Sequence, residues 1–121
     1  MHQLFIMPNP STADAEADDA TTRRNIAYCR AQGADRYIAC NLFAYRATKP
    51  ADMLAAEEPI GPRNMDVLAD MIRLARLQPI ICAWGVHGTH LGQNERVMDL
   101  IEQLGARPMR LRQTKDGFVA L

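Results

Sequence analysis

Four short runs bring together side chains that could do chemistry. In PNPSTAD, residues 8–14, Asn9 and Ser11 sit between and just after two prolines, and Asp14 closes the run. Such short polar side chains bond neighbouring backbone, and a loop stiffened by proline also preorganises its donors for a ligand. Asp14, Asp18 and Asp19 offer the carboxylate oxygen that magnesium takes. Acids ahead of a helix more often serve its positive end, and no metal is expected. Arg23 and Arg24 could reach over this loop towards phosphate or remain in solvent.

The second run, NLFAYRAT, carries Asn41 near the end of an apolar segment and Arg46 beyond it. An amide there must find partners. It either pins neighbouring loops or reads a base edge with its adjacent donor and acceptor. Arg46 could bind phosphate or Asp14. The third run, WGVHGTH, starts with Trp84 and Gly85. Tryptophan could stack a base beside a glycine that admits close approach, or it could be core. His87 is a candidate general acid or base; with His90 its spacing is zinc-like, but no further ligand completes a site. The fourth run, QTKDG, places Lys115 ahead of a common turn dipeptide, either as a turn residue or as a cationic wall for an anion. Asn9, Asp14 and His87 are the catalytic candidates. Asn9, Ser11, Arg23, Asn41, Arg46, Trp84, Gly85, His87 and Lys115 are the candidate ligand contacts.

These runs need elements to position them. Gln3–Met7 predicts a buried strand ended by Pro8, and Thr21 or Thr22 predicts the cap of a helix that buries Ile26, Ala27 and Cys29 and stops at Gly33. A second strand is predicted over Arg36–Phe43, and Thr48 with Pro50 marks another helix start. The clearest helix follows Gly61-Pro62: Met65, Leu68, Ala69, Ile72 and Ala75 form one apolar stripe, and Pro79 ends it. PIICAW predicts the third strand. A helix after His90 turns Val97, Met98, Ile101 and Leu104 inward, and PMRLR predicts a fourth, edge strand.

Alternation of strands with helices predicts an α/β fold, three layers α/β/α around a four-stranded, mainly parallel sheet, in one domain spanning residues 1–121. In such a sheet all four runs follow strand ends and gather on one rim, where open α/β sheets bind ligands. The opposite rim receives only QGAD, RLQP and LGAR.

Composition narrows the partners. Fourteen basic and fourteen acidic residues cancel, so nucleic-acid contact would depend on local patches. No apolar run approaches the ~20 residues of a membrane helix, and the N-terminus lacks a signal-peptide pattern. Cys29, Cys40 and Cys82 form no CxxC pair and predict buried free thiols in a reducing cytoplasm. GxGxxG, GxxxxGK[ST], GxSxG and HExxH are absent, which argues against a nucleoside-triphosphate engine or a serine hydrolase, and no cofactor is implied.

The combination of Asn9–Asp14, Asp18-Asp19 with Arg23-Arg24, Asn41–Thr48, Gly61-Pro62 with Asn64, Ala83–Gly85 and Thr114–Gly117 resembles a bacterial and phage domain family of unknown function over nearly the whole chain. A more distant resemblance is to the uracil-DNA glycosylase superfamily. It implies that Asn9 lies by a base pocket and that Asn41 reads the base. Relatives are expected to carry a leading segment and to continue past TKDG into a Pro-Arg-His-Pro segment. This chain starts at the first strand and ends GFVAL, which implies a short variant without that histidine.

Three functions therefore stand open: an enzyme acting on a nucleotide or a base in nucleic acid, a non-catalytic module for a small anionic ligand, and an interaction protein forming a homodimer through its exposed sheet edge.

Overall fold

Leu4, Phe5 and Ile6 are all buried, so the opening strand is covered on both faces and reads as a continuous apolar run. This strand, β1 (His2–Met7), leads to α1 (Ala15–Ala31) and then to β2 (Arg36–Asn41). Two helices follow, α2 (Pro50–Ala55) and α3 (Asn64–Ala75), before β3 (Ile80–Cys82). A 3-10 segment over Val86–Gly92 runs into α4 (Gln93–Gln103), then β4 (Pro108–Met109), β5 (Leu111–Thr114) and β6 (Gly117–Ala120). The computed structural model describes residues 1–10, 15–114 and 117–120, with side chains described at 1–10 and 20–112.

The first four strands form one sheet in the order β2-β1-β3-β4, and every pairing is parallel. The sheet is therefore the expected four-stranded α/β core, with β4 on an edge. Alternation sends Leu4, Ile6, Cys40, Ile80 and Cys82 to one face, where Leu68, Ile72 and Ala75 of α3 and Val97 and Ile101 of α4 cover them. The other face carries Phe5 and Ile81 against Cys29 of α1. Phe5 meets Tyr28 and Tyr37 edge-to-face, with ring centroids 6.0 and 5.5 Å apart. The three cysteines are buried and unpaired. Among the described residues no helix is long and apolar enough to cross a membrane.

Several boundaries differ from expectation. Helix α1 begins at Ala15, not at a Thr21 or Thr22 cap, because Ala15–Ala20 is itself a good helix former with acids near the positive end. Arg23 and Arg24 thus lie inside the helix. Among its described side chains Asn25 and Cys29 are buried, whereas Ala27 is exposed. Strand β2 stops at Asn41, and Leu42 and Phe43 continue into the core as loop. Met98 is exposed, since Val97 and Ile101 take the inward stripe. The PMRLR run divides at Arg110: only Pro108 and Met109 join the parallel sheet, while β5 pairs antiparallel with β6. That second sheet was not expected.

Candidate functional site

The carboxyl ends of β1 and β2 are joined by backbone before any side chain acts. Leu42 N–H donates to Met7 O at 2.9 Å, Phe43 N–H to Pro8 O at 2.9 Å, and Ala47 N–H to Pro10 O at 3.0 Å. Asn9 completes this clasp. Its side-chain nitrogen donates to Ala47 O at 3.0 Å, Pro10 O at 3.2 Å and Tyr45 O at 3.4 Å. The loop after the first strand and the loop after the second are thereby one structure.

Beside the clasp lies a cavity of about 370 Å³, lined by Met7, Asn9, Thr22, Tyr37, Asn41 and Arg46, with Pro8, Pro10 and Ala39 filling its walls. Each strand contributes for a simple reason. Period two puts Tyr37, Ala39 and Asn41 on the same face of β2. The prolines hold the β1 end extended. Thr22 comes from α1, the helix that covers this face of the sheet.

Polar atoms here divide into two groups. Asn25 is buried and donates to the Tyr37 hydroxyl at 3.0 Å. Burial pushes the Tyr37 phenol above its ordinary value, and the Asn25 bond opposes that rise. Tyr37 is therefore a neutral hydroxyl at physiological pH. Asn64 donates to the carbonyls of Asn41 and Leu42 at 2.8 and 2.9 Å, and Gln93, fully buried, donates to Leu42 O at 3.0 Å. These amides build the rim. The half-buried Asn41 side chain differs: its amide has no hydrogen-bond partner among the described residues.

The structure brings Asn9, Asn41 and Arg46 together and leaves other candidates elsewhere. Trp84 is 5% exposed and packs into the core on the α3–α4 face. Gly88 lies against its ring: a Cβ there would come within 2.3 Å of Trp84 Cδ1. The ring thus takes the core position and does not line the cavity. Gly85 and His87 are exposed in the segment after β3, and the His90 ring lies 5.8 Å from Phe43. Arg23 and Arg24 are exposed on α1, with Arg24 donating to Thr21 Oγ1 at 3.5 Å. Ser11, Asp14 and Lys115 fall outside the described residues.

Sequence reasoning did not single out Tyr37, Asn25 or Gln93, and gave Thr22 only as a helix cap. Tyr37 was detectable, because it lies four residues before Asn41 on a strand. Gln93 carried no local signal; its acceptor is 51 residues away.

A family model described as "Protein of unknown function (DUF1643)" matches residues 2–120, and the chain belongs to that family. No curated protein and no solved structure matches it.

Proposed function

We propose that the cavity beside Asn41 binds a nucleobase or nucleotide. The carrying observation is the Asn41 amide. Asn9, Asn25, Asn64, Gln3 and Gln93 all use their side chains on structure. Asn41, half-buried on a cavity wall, does not. A carboxamide presents a donor beside an acceptor, the pattern that pairs with a base edge. Met7, Pro8 and the Tyr37 ring supply apolar lining, and Arg46 stands at the same cavity as a phosphate partner. The volume lies within the roughly 300–1,000 Å³ of small-molecule sites.

The distant likeness to uracil-DNA glycosylases supports the same reading, since it assigns Asn9 and Asn41 to a base pocket. Asn9 serves this pocket as its clasp. The reading concerns recognition; base release from a uracil-containing oligonucleotide separates an enzyme from a binding module.

Thermal melting with free bases, nucleosides and mononucleotides tests it. A ligand at a hundred times its Kd adds about 2.7 kcal/mol, a rise of roughly 10 °C for a domain of this size. Asn41→Ala should leave the free protein's melting point nearly unchanged and remove the ligand-induced rise. An equal rise in the variant, or no rise with any of these compounds, rejects the proposal. Inorganic phosphate raising the melting point as much as a nucleotide does would replace it with a plain anion site.

A further inference from the structure

A second hollow, of about 510 Å³, adjoins the first, and Arg46 belongs to the walls of both. Its other polar lining comes from Tyr45, Thr48, Lys49 and Asp52. We infer that this hollow is the subsite for a flanking nucleotide, so that the ligand is a single-stranded polynucleotide passing from the Asn41 cavity across Arg46 to Tyr45 and Lys49. This inference rests on the proposed function of the first cavity and extends it from a monomer to a strand.

Three features argue for it. First, the segment is held in shape by bonds that leave its side chains outward. Tyr45 N–H donates to Pro59 O at 3.0 Å, Ala44 N–H donates to Ile60 O at 3.1 Å, and the Asn9 amide takes the carbonyls of Tyr45 and Ala47. Backbone fixed in this way presents its side chains without further ordering. Second, Tyr45 is 44% exposed although it is a large aromatic, and an exposed ring beside cations is the usual platform for a stacked base. Third, the cations are few. Among the described residues that line the hollow, Arg46 and Lys49 are the cations and Asp52 the acid, in a chain whose net charge is +0. That suits two phosphates of a single strand and not the broad basic face that a duplex takes. Entry of a base into the Asn41 cavity also requires an unpaired base.

Fluorescence anisotropy with a short fluorescein-labelled oligothymidylate, and competition by thymidine monophosphate, tests the inference. The oligonucleotide should bind more tightly than the monomer. Tyr45→Ala should weaken the oligonucleotide by about 5- to 150-fold and the monomer by less than about twofold. Affinity for the oligonucleotide should fall as salt rises, and Lys49→Gln should make the slope of log K against log salt shallower by about 0.7. Both side chains are exposed, so circular dichroism should show the variants folded. Oligodeoxyuridylate and oligouridylate, which differ only in the 2′-hydroxyl, identify which sugar is preferred, and binding of either strand supports the inference. If the monomer binds and the oligonucleotide gains nothing, or if Tyr45→Ala and Lys49→Gln change neither affinity nor slope, the second subsite is refuted while the first cavity stands. If no strand binds although a mononucleotide raises the melting point, the second subsite is refuted; if no base, nucleotide or strand binds, the nucleotide reading of the first cavity falls as well.

Discussion

The Asn64 side chain holds the backbone carbonyl of Asn41 at 2.8 Å. The residue that opens α3 thereby fixes the strand end that carries the Asn41 amide, which has no partner among the described residues, to the cavity wall. Asn64 also reaches Leu42 O at 2.9 Å, so one amide nitrogen serves two carbonyls just where β2 gives way to loop. Removing it takes this donor from Asn41 O and leaves the buried Leu42 O to Gln93 alone, a loss of about 1–3 kcal/mol, or about 5–15 °C in melting temperature. Asn64→Ala should show that drop and also weaken ligand binding. Asn64→Asp should be worse than alanine, since a carboxylate would face two carbonyl oxygens. Equal melting of Asn64→Asp and the parent protein would show that the amide does not hold this rim.

Gly88 answers to Trp84. With Cδ1 at 2.3 Å, Cγ at 2.9 Å and Nε1 at 3.0 Å from an added Cβ, Gly88→Ala must displace the indole. Overpacking of this kind costs about 1–3 kcal/mol. Since Trp84 is the one tryptophan of the chain, its emission reports the event directly, and a red shift should accompany the loss of stability. Gly85→Ala is the control. Its φ is +65° and its Cβ would meet nothing within 4 Å, so it should lower stability through backbone strain alone and leave the emission unchanged. A red shift in both variants, or in neither, would contradict the packing described for Trp84.

Much of the frame was legible because burial imposes periodicity. Leu68, Ile72 and Ala75 announced α3, and the unbroken Leu4–Ile6 run announced a strand buried on both faces. The gathering of Asn9, Asn41 and Arg46 followed from strand order alone. The division of labour among the amides did not. Whether Asn9 pins a loop or meets a ligand depends on carbonyls at Tyr45 and Ala47, brought within reach only by the fold. Trp84 had two compatible readings until Gly88 and the α3–α4 face were seen to enclose it. The β5–β6 pairing was missed because Leu111–Thr114 is short and follows directly on the β4 edge, so one run carried two strands with different partners.

Alkaline pH should weaken the fold through Cys82. Burial is the main cause that pushes its thiol up to about 11 from 9.0, against smaller opposing contributions from the Met109 backbone and Arg110. Below both values the thiol is neutral in the folded and the unfolded chain, and pH changes nothing. Between them the unfolded chain ionises while the folded thiol keeps its proton, so stability falls as pH rises, by up to roughly 2–3 kcal/mol. Burial raises Cys40 and Tyr37 in the same direction. Denaturant titrations from about pH 8 to about pH 11 should therefore show a steeper decline in the parent protein than in Cys82→Ala, even though that variant starts lower because of its cavity. Parallel declines would mean that Cys82 is ionised too easily to be the buried thiol described.

Leu91 offers the opposite case, a substitution that should stabilise. Among the described residues it is the one non-glycine at positive φ, with φ 57° and ψ 17°. The side chain is also 52% exposed, so little burial compensates for the conformation. A left-handed L-residue costs about 1–2 kcal/mol, and glycine adopts the same backbone without that penalty but loses up to about 1 kcal/mol more chain entropy on folding. Leu91→Gly should then gain up to about 1 kcal/mol, a rise of roughly 3–6 °C. Leu91→Ala keeps the strain and should gain nothing. Leu91 also lines a groove of about 340 Å³ with Pro59, Ile60 and Pro62. If Leu91→Gly instead melts lower than Leu91→Ala, contacts in that groove outweigh the backbone strain, and the leucine is held for its packing.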